Sequence, residues 1–479
     1  MFGENTSIFG EIDSENHFAY GNSLQSEVAN LMKALTAGSS ANPGAMGTSG
    51  NTLQVESLEM QLLDALEQRP QDFKLMKKMY KNPVGSTVHQ YTVATDSGSY
   101  EGIFTSELAT PRETDSVLGR RTRNIKFMET LRTVSLQALR LDPVVQSAEQ
   151  LEQEKGTHVL LKGAEYGCFW GNETVSPNQF DGFPMQIRNS DNTPNILDMA
   201  GKRVSSADGQ RIFEEAVRTI WQRGGEATDT FYPGILAQDF QDLVRDRRRF
   251  GVNDQTMGLV IEDYPTVYDS TVKIAGPAGP DKLFRVKIAP TASIDTENRP
   301  TAPTFSLGVQ SVTGSPGFLA ATEGTYRYTV YAVDSWGLIS AAATPANVAV
   351  AAGQEVVVTI TRGATNNTGF IVCRGKKDVT TGTDLREMER VASAGATTTY
   401  IDDNNELPGT AEMLVLSSGT SNVDRTYQWD SFADLMRFDL GRINAGVRFL
   451  MIWYGTCDMK IPERNALIKN VGHADIDWF

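Results

Sequence analysis

Few residues in this chain have the types and spacing that bond-making chemistry requires. The nearest approach to a phosphate-binding loop is GFIVCRGKK, Gly369 to Lys377. Five residues separate its glycines where such a loop has four, and Lys377 stands where a Ser or Thr would hold magnesium, so the segment reads as a strand and turn. The histidines, His17, His89, His158 and His473, show neither metal-ligand spacing nor a triad order. Cys168, Cys373 and Cys457 lie far apart, form no CxxC and are odd in number, the pattern of free thiols in a reducing compartment. Asp402, Asp403, Asn404, Asn405 and Glu406 offer the hard oxygens that calcium takes. They lack the spacing and glycine of an EF-hand and read as a polar turn. Glu214 and Glu215 read as a solvated helix face, and no G-x-S-x-G elbow or H-E-x-x-H occurs. The expectation is a protein that is no enzyme, with no catalytic residue, cofactor or metal, whose chemistry lies in its interfaces.

Composition narrows the partners. The chain has 479 residues, long for one core, so two or three domains are expected. With 40% hydrophobic and 22% charged residues it can bury substantial cores. A net charge of −15 argues against a protein whose main task is gripping phosphate. The run Arg245, Arg247, Arg248 and Arg249 spreads around a helix and suits solvent or a neighbouring subunit better than DNA. MFGENTSIFGEIDSENHF has no apolar core of a secretory signal, and no run reaches the ~18 apolar residues of a membrane span, so no membrane partner is expected. Without export, the Asn-X-Ser/Thr triplets at Asn5, Asn172 and Asn366 read as unglycosylated.

The elements follow from periodicity. Residues 20–36 and a segment with Leu58, Leu62, Leu63 and Leu66 read as short helices around a Gly/Ser/Ala/Pro linker, Ala37 to Asn51; residues 1–83 read as an N-terminal arm. Residues 84–141 read as an extended hairpin. Strand-like flanks enclose a tip with Glu101, Glu107, Glu113 and Asp115 beside Arg112, Arg120, Arg121 and Arg123, a charge mixture suited to a neighbouring subunit, although a solvated loop would show the same. A long helix is expected after Asp142 and Pro143, with Gly156 as its weak point. A cleaner helix places Ile212, Phe213, Ala216, Val217, Ile220 and Trp221 in one apolar stripe ended by Gly224 and Gly225, and the next buries Leu236, Phe240, Leu243 and Val244. From 299 to 417 the chain turns Thr-, Val-, Ala- and Gly-rich with short alternating segments, the signature of an inserted β-sandwich. VRFLMIWYGTCDM then gives a strongly apolar strand.

Within the insertion, TYRYTVYAVDSWGLISAA and TTTYIDDNNELPGT resemble fibronectin III-like and immunoglobulin-like domains. Four stretches carry a resemblance covering nearly the full chain from about Gly50: EYGCFWGN with FDGFPMQI (Glu165 to Ile187), TDTFYPGILAQDFQDLV (Thr228 to Val244), YIDDNNELPGTAE, and LGRINAGVRFLMIWYGTCDMKIPERNALIKNV. In this order they resemble tailed-phage major capsid proteins of the Hong Kong 97 type, most closely those of Twort-like contractile-tailed phages.

That resemblance implies an α+β capsid fold. It has an arm (1–83), an extended loop (84–141), a peripheral domain with spine helix (142–175), a peripheral and axial portion (176–298), the insertion (299–417) and a return to axial and peripheral domains (418–479). It implies an L-shaped subunit forming hexamers and pentamers of an icosahedral virion head, assembled in host cytoplasm around double-stranded DNA without sequence-specific binding. Portal, scaffold, maturation protease and decoration proteins are the implied partners, and the protease could cut near residues 37–51. Arg112, Arg120, Arg121, Arg123, Glu107 and Glu113 are the expected intersubunit contacts. No local match fixes a partner pair for the family's Lys–Asn cross-link. An encapsulin-like compartment is the rival with the same fold; a surface adhesin is the rival of another class.

Overall fold

The computed structural model describes residues 73–473, apart from 97, 99–102, 109, 111–112, 141–146, 191–194, 246–262, 267, 269–270, 278–283, 313–316, 365–366, 420–424 and 444–445. The two arm helices, the 37–51 linker and the arginine run after Arg245 lie outside the described residues.

The first layer is a four-stranded sheet built on two long antiparallel strands, β17 (Tyr427–Ile443) and β18 (Gly446–Met459). β4 (Lys126–Ser135) pairs antiparallel with β18, and β1 (Lys81–Pro83) adds in parallel beside β17. Alternation along β18 sends Phe449, Met451, Trp453 and Cys457 to one face, where α3 (Ala148–Trp170) packs over them and contributes Leu160, Ala164 and Cys168 to the same core. Ser147 starts α3 by accepting the Gln150 N–H at 3.3 Å. Gly171 ends it, where a Cβ would sit 2.1 Å from the Phe180 carbonyl oxygen. Gly156 is no weak point: a side chain there would meet Met451 Sδ at 2.6 Å, so the missing Cβ is what lets the helix approach the sheet. α1 (Lys74–Lys78) and β1 fall within the expected arm, yet Leu75 is wholly buried in this core.

The second layer is a mixed six-stranded sheet. Its order is β5 (Ile196–Asp198), β19 (Ala466–Val471), β16 (Ala411–Leu416), β6 (Asp229–Tyr232), β8 (Thr271–Pro277) and β7 (Asp263–Pro265). α5 (Ala207–Gln222), capped by Ser206, lays Phe213, Ala216, Val217 and Ile220 against it. Trp221 falls off that stripe and remains 55% exposed, its ring 5.7 Å from Tyr268. Leu236 and, on α6 (Ala237–Arg245), Phe240 are buried as the pattern requires.

The third layer is a sandwich. β11 (Ala346–Val350), β10 (Gly324–Val333), β13 (Gly369–Gly375) and β14 (Leu385–Ala392) form one sheet; β15 (Thr397–Asp402), β12 (Gln354–Thr361) and β9 (Thr304–Ser311) form the other. Both feed one core, with Tyr328 and Phe370 from the first and Val356, Val358 and Ile360 from the second. The sandwich ends earlier than 417. All six residues of β16 are buried, with Met413 and Val415 in the mixed-sheet core and Leu414 and Leu416 in the helix-side core, so this strand is covered on both faces and sits within the mixed sheet between β19 and β6. The chain enters and leaves the sandwich side by side: Lys287 N–H donates to the Thr410 carbonyl at 2.9 Å and Gly409 N–H to that of Lys287 at 3.0 Å.

The expected hairpin also divides. β2 (Val88–Asp96) and β3 (Val117–Asn124) pair antiparallel as a two-stranded ribbon, whereas buried Ile125 turns the chain out of it and β4 joins the first sheet. The second flank carries two surfaces: polar where it lies on its partner strand, and apolar at alternate positions where it meets β18.

Candidate functional site

The ribbon is anchored at its foot by one cross-strand group. His89 faces Arg123 in register, and Tyr91 faces Arg121. Arg123 Nε donates to Asp458 Oδ1 at 2.9 Å, and Tyr91 Oη donates to the same oxygen at 3.1 Å. Arg121 pairs with Glu463 and donates to the Lys460 carbonyl at 2.8 Å. Asp458 and Asp430 are fully buried. Burial, then the neighbouring Asp430 charge, push the Asp458 carboxyl up against the pull of Arg123.

The six charged residues expected at a subunit contact therefore separate. Arg121 and Arg123 are committed to carboxylates of their own subunit. Arg120, one position off on the opposite ribbon face, is exposed, as are Glu107 and Glu113 nearer the tip. Arg112 lies outside the described residues. The tip is also less polar than its charges suggest: Phe104 and Leu108 are each 99% exposed and Ile103 is 65% exposed. An apolar tip open to solvent marks an interaction site.

A second apolar surface lies on the sheet face opposite α3. Register places Leu131, Leu450 and Phe438 in one row across β4, β18 and β17, with Met436 and Ile452 in the next and Leu440 beyond. Phe127, Leu131, Met436, Phe438 and Leu440 are all exposed. The ribbon's foot covers the Asp458 end of this face, whose residues alternate with the core-facing set along β18. The pattern of KFMETLRTVS could have pointed to this surface, since Phe127 and Leu131 share one face while Met128 and Val134 share the other, so neither face is wholly polar.

The root of the sandwich is ionic. Glu406 meets Lys287, Lys469 and Arg188, while Glu412 meets Arg188 at 2.7 Å and Arg285 at 3.2 Å. Burial works against ionisation of Glu406, yet Lys287, Arg188 and Lys469 together hold it well below the usual carboxylate range. Arg390 donates to the Tyr166 hydroxyl at 3.0 Å and stacks 4.2 Å from the Trp170 ring centroid, joining the sandwich to α3. The acidic turn read as a possible calcium loop is spent on protein cations: Asp402 pairs with Arg374 at 2.7 Å and Glu406 with the root cluster. Among the described residues no group of three or more His, Cys, Asp or Glu could hold a metal, and no helix is long and apolar enough to cross a membrane.

No protein-family model matches the chain. A protein of Enterococcus phage phiEF24C that carries a major-capsid-protein name is 25% identical over 477 residues, spanning 94% of this chain and 95% of its own length. The major capsid protein of Staphylococcus phage K is 23% identical over 420 residues, 84% of this chain and 86% of its own. The chain belongs to the phage major capsid proteins. Among solved structures, the capsid of a native GTA particle covers 90% of this capsid protein and 100% of its own chain, with a TM-score of 0.46 and 12% identity. The SrpI encapsulin of Synechococcus elongatus PCC 7942 covers 91% and 99%, with a TM-score of 0.38 and 9% identity.

Proposed function

We propose that this capsid protein adopts the Hong Kong 97-type fold and self-assembles into the hexamers and pentamers of an icosahedral head that encloses the double-stranded DNA of a tailed phage. In this reading the four-stranded sheet with α3 is the peripheral domain, the mixed sheet with α5 is the axial domain, and the ribbon is the extended loop. The sandwich is an immunoglobulin-like insertion. The observation that carries the reading is a ribbon with an uncovered apolar tip, borne by the same molecule that leaves an apolar sheet face uncovered. A shell is the arrangement in which each copy's ribbon finds a neighbour's sheet, and obligate contacts of this kind bury roughly 2,000–5,000 Å². Arg120, Glu107 and Glu113 would then sit where they meet the neighbour's charges. A net charge of −15 suits a wall that packed DNA must slide past. Portal, scaffold, protease and decoration proteins would complete the assembly, in host cytoplasm.

Negative-stain electron microscopy of the purified protein tests this. Capsomers, tubes or shells are expected. Strictly monomeric protein across salt and concentration, with scaffold supplied, would sink it. An encapsulin-like compartment remains the second reading of such shells, and a genomic neighbourhood with portal and terminase decides for the virus.

A further inference from the structure

We propose that each subunit closes a covalent bond within itself at the root of the sandwich, an amide between the side chains of Lys287 and Asn470, formed with loss of ammonia and assisted by Glu406. No neighbouring subunit takes part. Lys287 and Asn470 stand 183 residues apart in sequence, yet Lys287 Nζ donates to Asn470 Oδ1 at 3.2 Å. They are 2% and 1% exposed. The same Nζ is paired with Glu406. Asn470 Nδ2 donates to both carboxylate oxygens of Asp198 at 3.0 Å and to the Asn405 carbonyl at 2.8 Å, so the amide faces one way, with Oδ1 turned to the amine. Oδ1 also accepts the Leu407 N–H at 3.0 Å. An amine beside an amide carbonyl, a donor on the carbonyl oxygen and a carboxylate touching the amine are the parts that amide exchange requires.

In the step, Glu406 accepts one proton from the Lys287 ammonium, and the freed lone pair attacks Asn470 Cγ, so that the Nζ–Cγ bond forms. The Leu407 N–H meets the charge that gathers on Oδ1. As the carbonyl re-forms, the Cγ–Nδ2 bond breaks and Nδ2 leaves as ammonia with the second proton of Nζ. Glu406 then returns the first proton, ammonium is released and the carboxylate is restored. No oxidant or second substrate enters. Burial keeps water from the carbonyl, and the fold holds amine and amide together where free reactants would have to collide. Glu406 keeps Arg188 and Lys469 as partners once Lys287 has lost its charge. A second lysine–asparagine pair, Lys469 Nζ with Asn405 Oδ1 at 3.0 Å, touches the same carboxylate, but it is exposed, and there water solvates the ammonium and competes for the carbonyl. The product ties the segment entering the sandwich to β19, so a pull on the sandwich loads a covalent bond as well as ion pairs.

The test weighs the unassembled full-length subunit, so its failure would leave the capsid reading untouched. The native protein should be lighter than its sequence by one ammonia, and tandem mass spectrometry of a tryptic digest should find a branched peptide joining Lys287 to Asn470. Lys287→Arg keeps the positive charge but removes the nucleophile, and Glu406→Gln removes the proton acceptor; both should show the full sequence mass and no branched peptide. Native protein at its full sequence mass overturns the proposal. So does an ammonia loss traced to cyclisation of the Asn470 backbone, or a branch that joins Lys469 to Asn405. Branching that survives in Glu406→Gln overturns the part given to that carboxylate.

Discussion

At the residue scale, one buried carboxylate is held where burial works against its ionisation. Glu165 on α3 is fully buried and accepts the backbone N–H of Leu75 at 3.2 Å and of Met76 at 3.1 Å. Burial pushes its carboxyl up to about 8 against the pull of those donors and Lys77. A folded-state value above the unfolded one means a stabilising contribution that is complete below about pH 4 and lost as pH rises toward about 8. Glu165→Gln sets an amide NH2 against one of those two N–H donors and should therefore cost about 1–3 kcal/mol at about pH 4, a cost that shrinks toward about pH 8 as the native carboxyl ionises. Melting curves across that window check it; equal shifts at both ends would contradict it. The arginines separate in the same physical terms. Arg123→Glu puts a third carboxylate against Asp430 and Asp458 and should cost about 3 kcal/mol of subunit stability, as breaking a buried pair does. Arg120→Glu should leave melting unchanged while weakening particle formation, because exposed charge at a contact acts on association. Normal particle yield from Arg120→Glu would remove that residue from the interface.

At the element scale, α3 packs against its neighbours through glycines whose absent side chains set the distance. A Cβ on Gly167 would stand 2.6 Å from the Phe180 ring, inside the core that also holds Trp429 5.7 Å away. Gly167→Ala gains about 1 kcal/mol of helix propensity and loses about 1–3 kcal/mol to overpacking, so a net destabilisation is expected in denaturant titrations. Gly171→Ala has no such offset, because its neighbour is backbone, and should abolish soluble expression. The opposite face of that sheet predicts the reverse phenotype. Leu131→Ser with Phe438→Ser removes exposed apolar area, so the subunit should melt as before but form particles poorly by sedimentation; unimpaired particles would show that the face is not an interface.

At the scale of the whole molecule, the sandwich is a domain set into a sheet rather than hung from it. Replacing residues 289–404 with a Gly/Ser linker keeps Lys287, Glu406 and the entry–exit pairing, and should leave a folded body with native circular dichroism. Extending the same replacement to 299–417 removes β16 from the middle of the mixed sheet and should give insoluble protein. If both deletions behave alike, the boundary at the start of β16 is wrong.

The sequence by itself determined the helices with unbroken apolar stripes and glycine stops, such as 207–222, because one local pattern satisfies both propensity and burial. It also carried the β-rich character of residues 304–402, where strands such as β9 begin with period two, and the family resemblance, which lies in ordered phrases. Only the tertiary structure decided that Ile125 splits one apparent strand between ribbon and sheet, that β16 leaves the sandwich, and that Gly156 is a contact. It also decided that Arg121 and Arg123 turn inward while Arg120 does not. Each of these depends on a partner more than a hundred residues away: β18 for β4, β6 for β16, Met451 for Gly156, Asp458 and Glu463 for the arginines. A residue's local pattern states which faces it has; which of them is covered is settled by what the rest of the chain brings there.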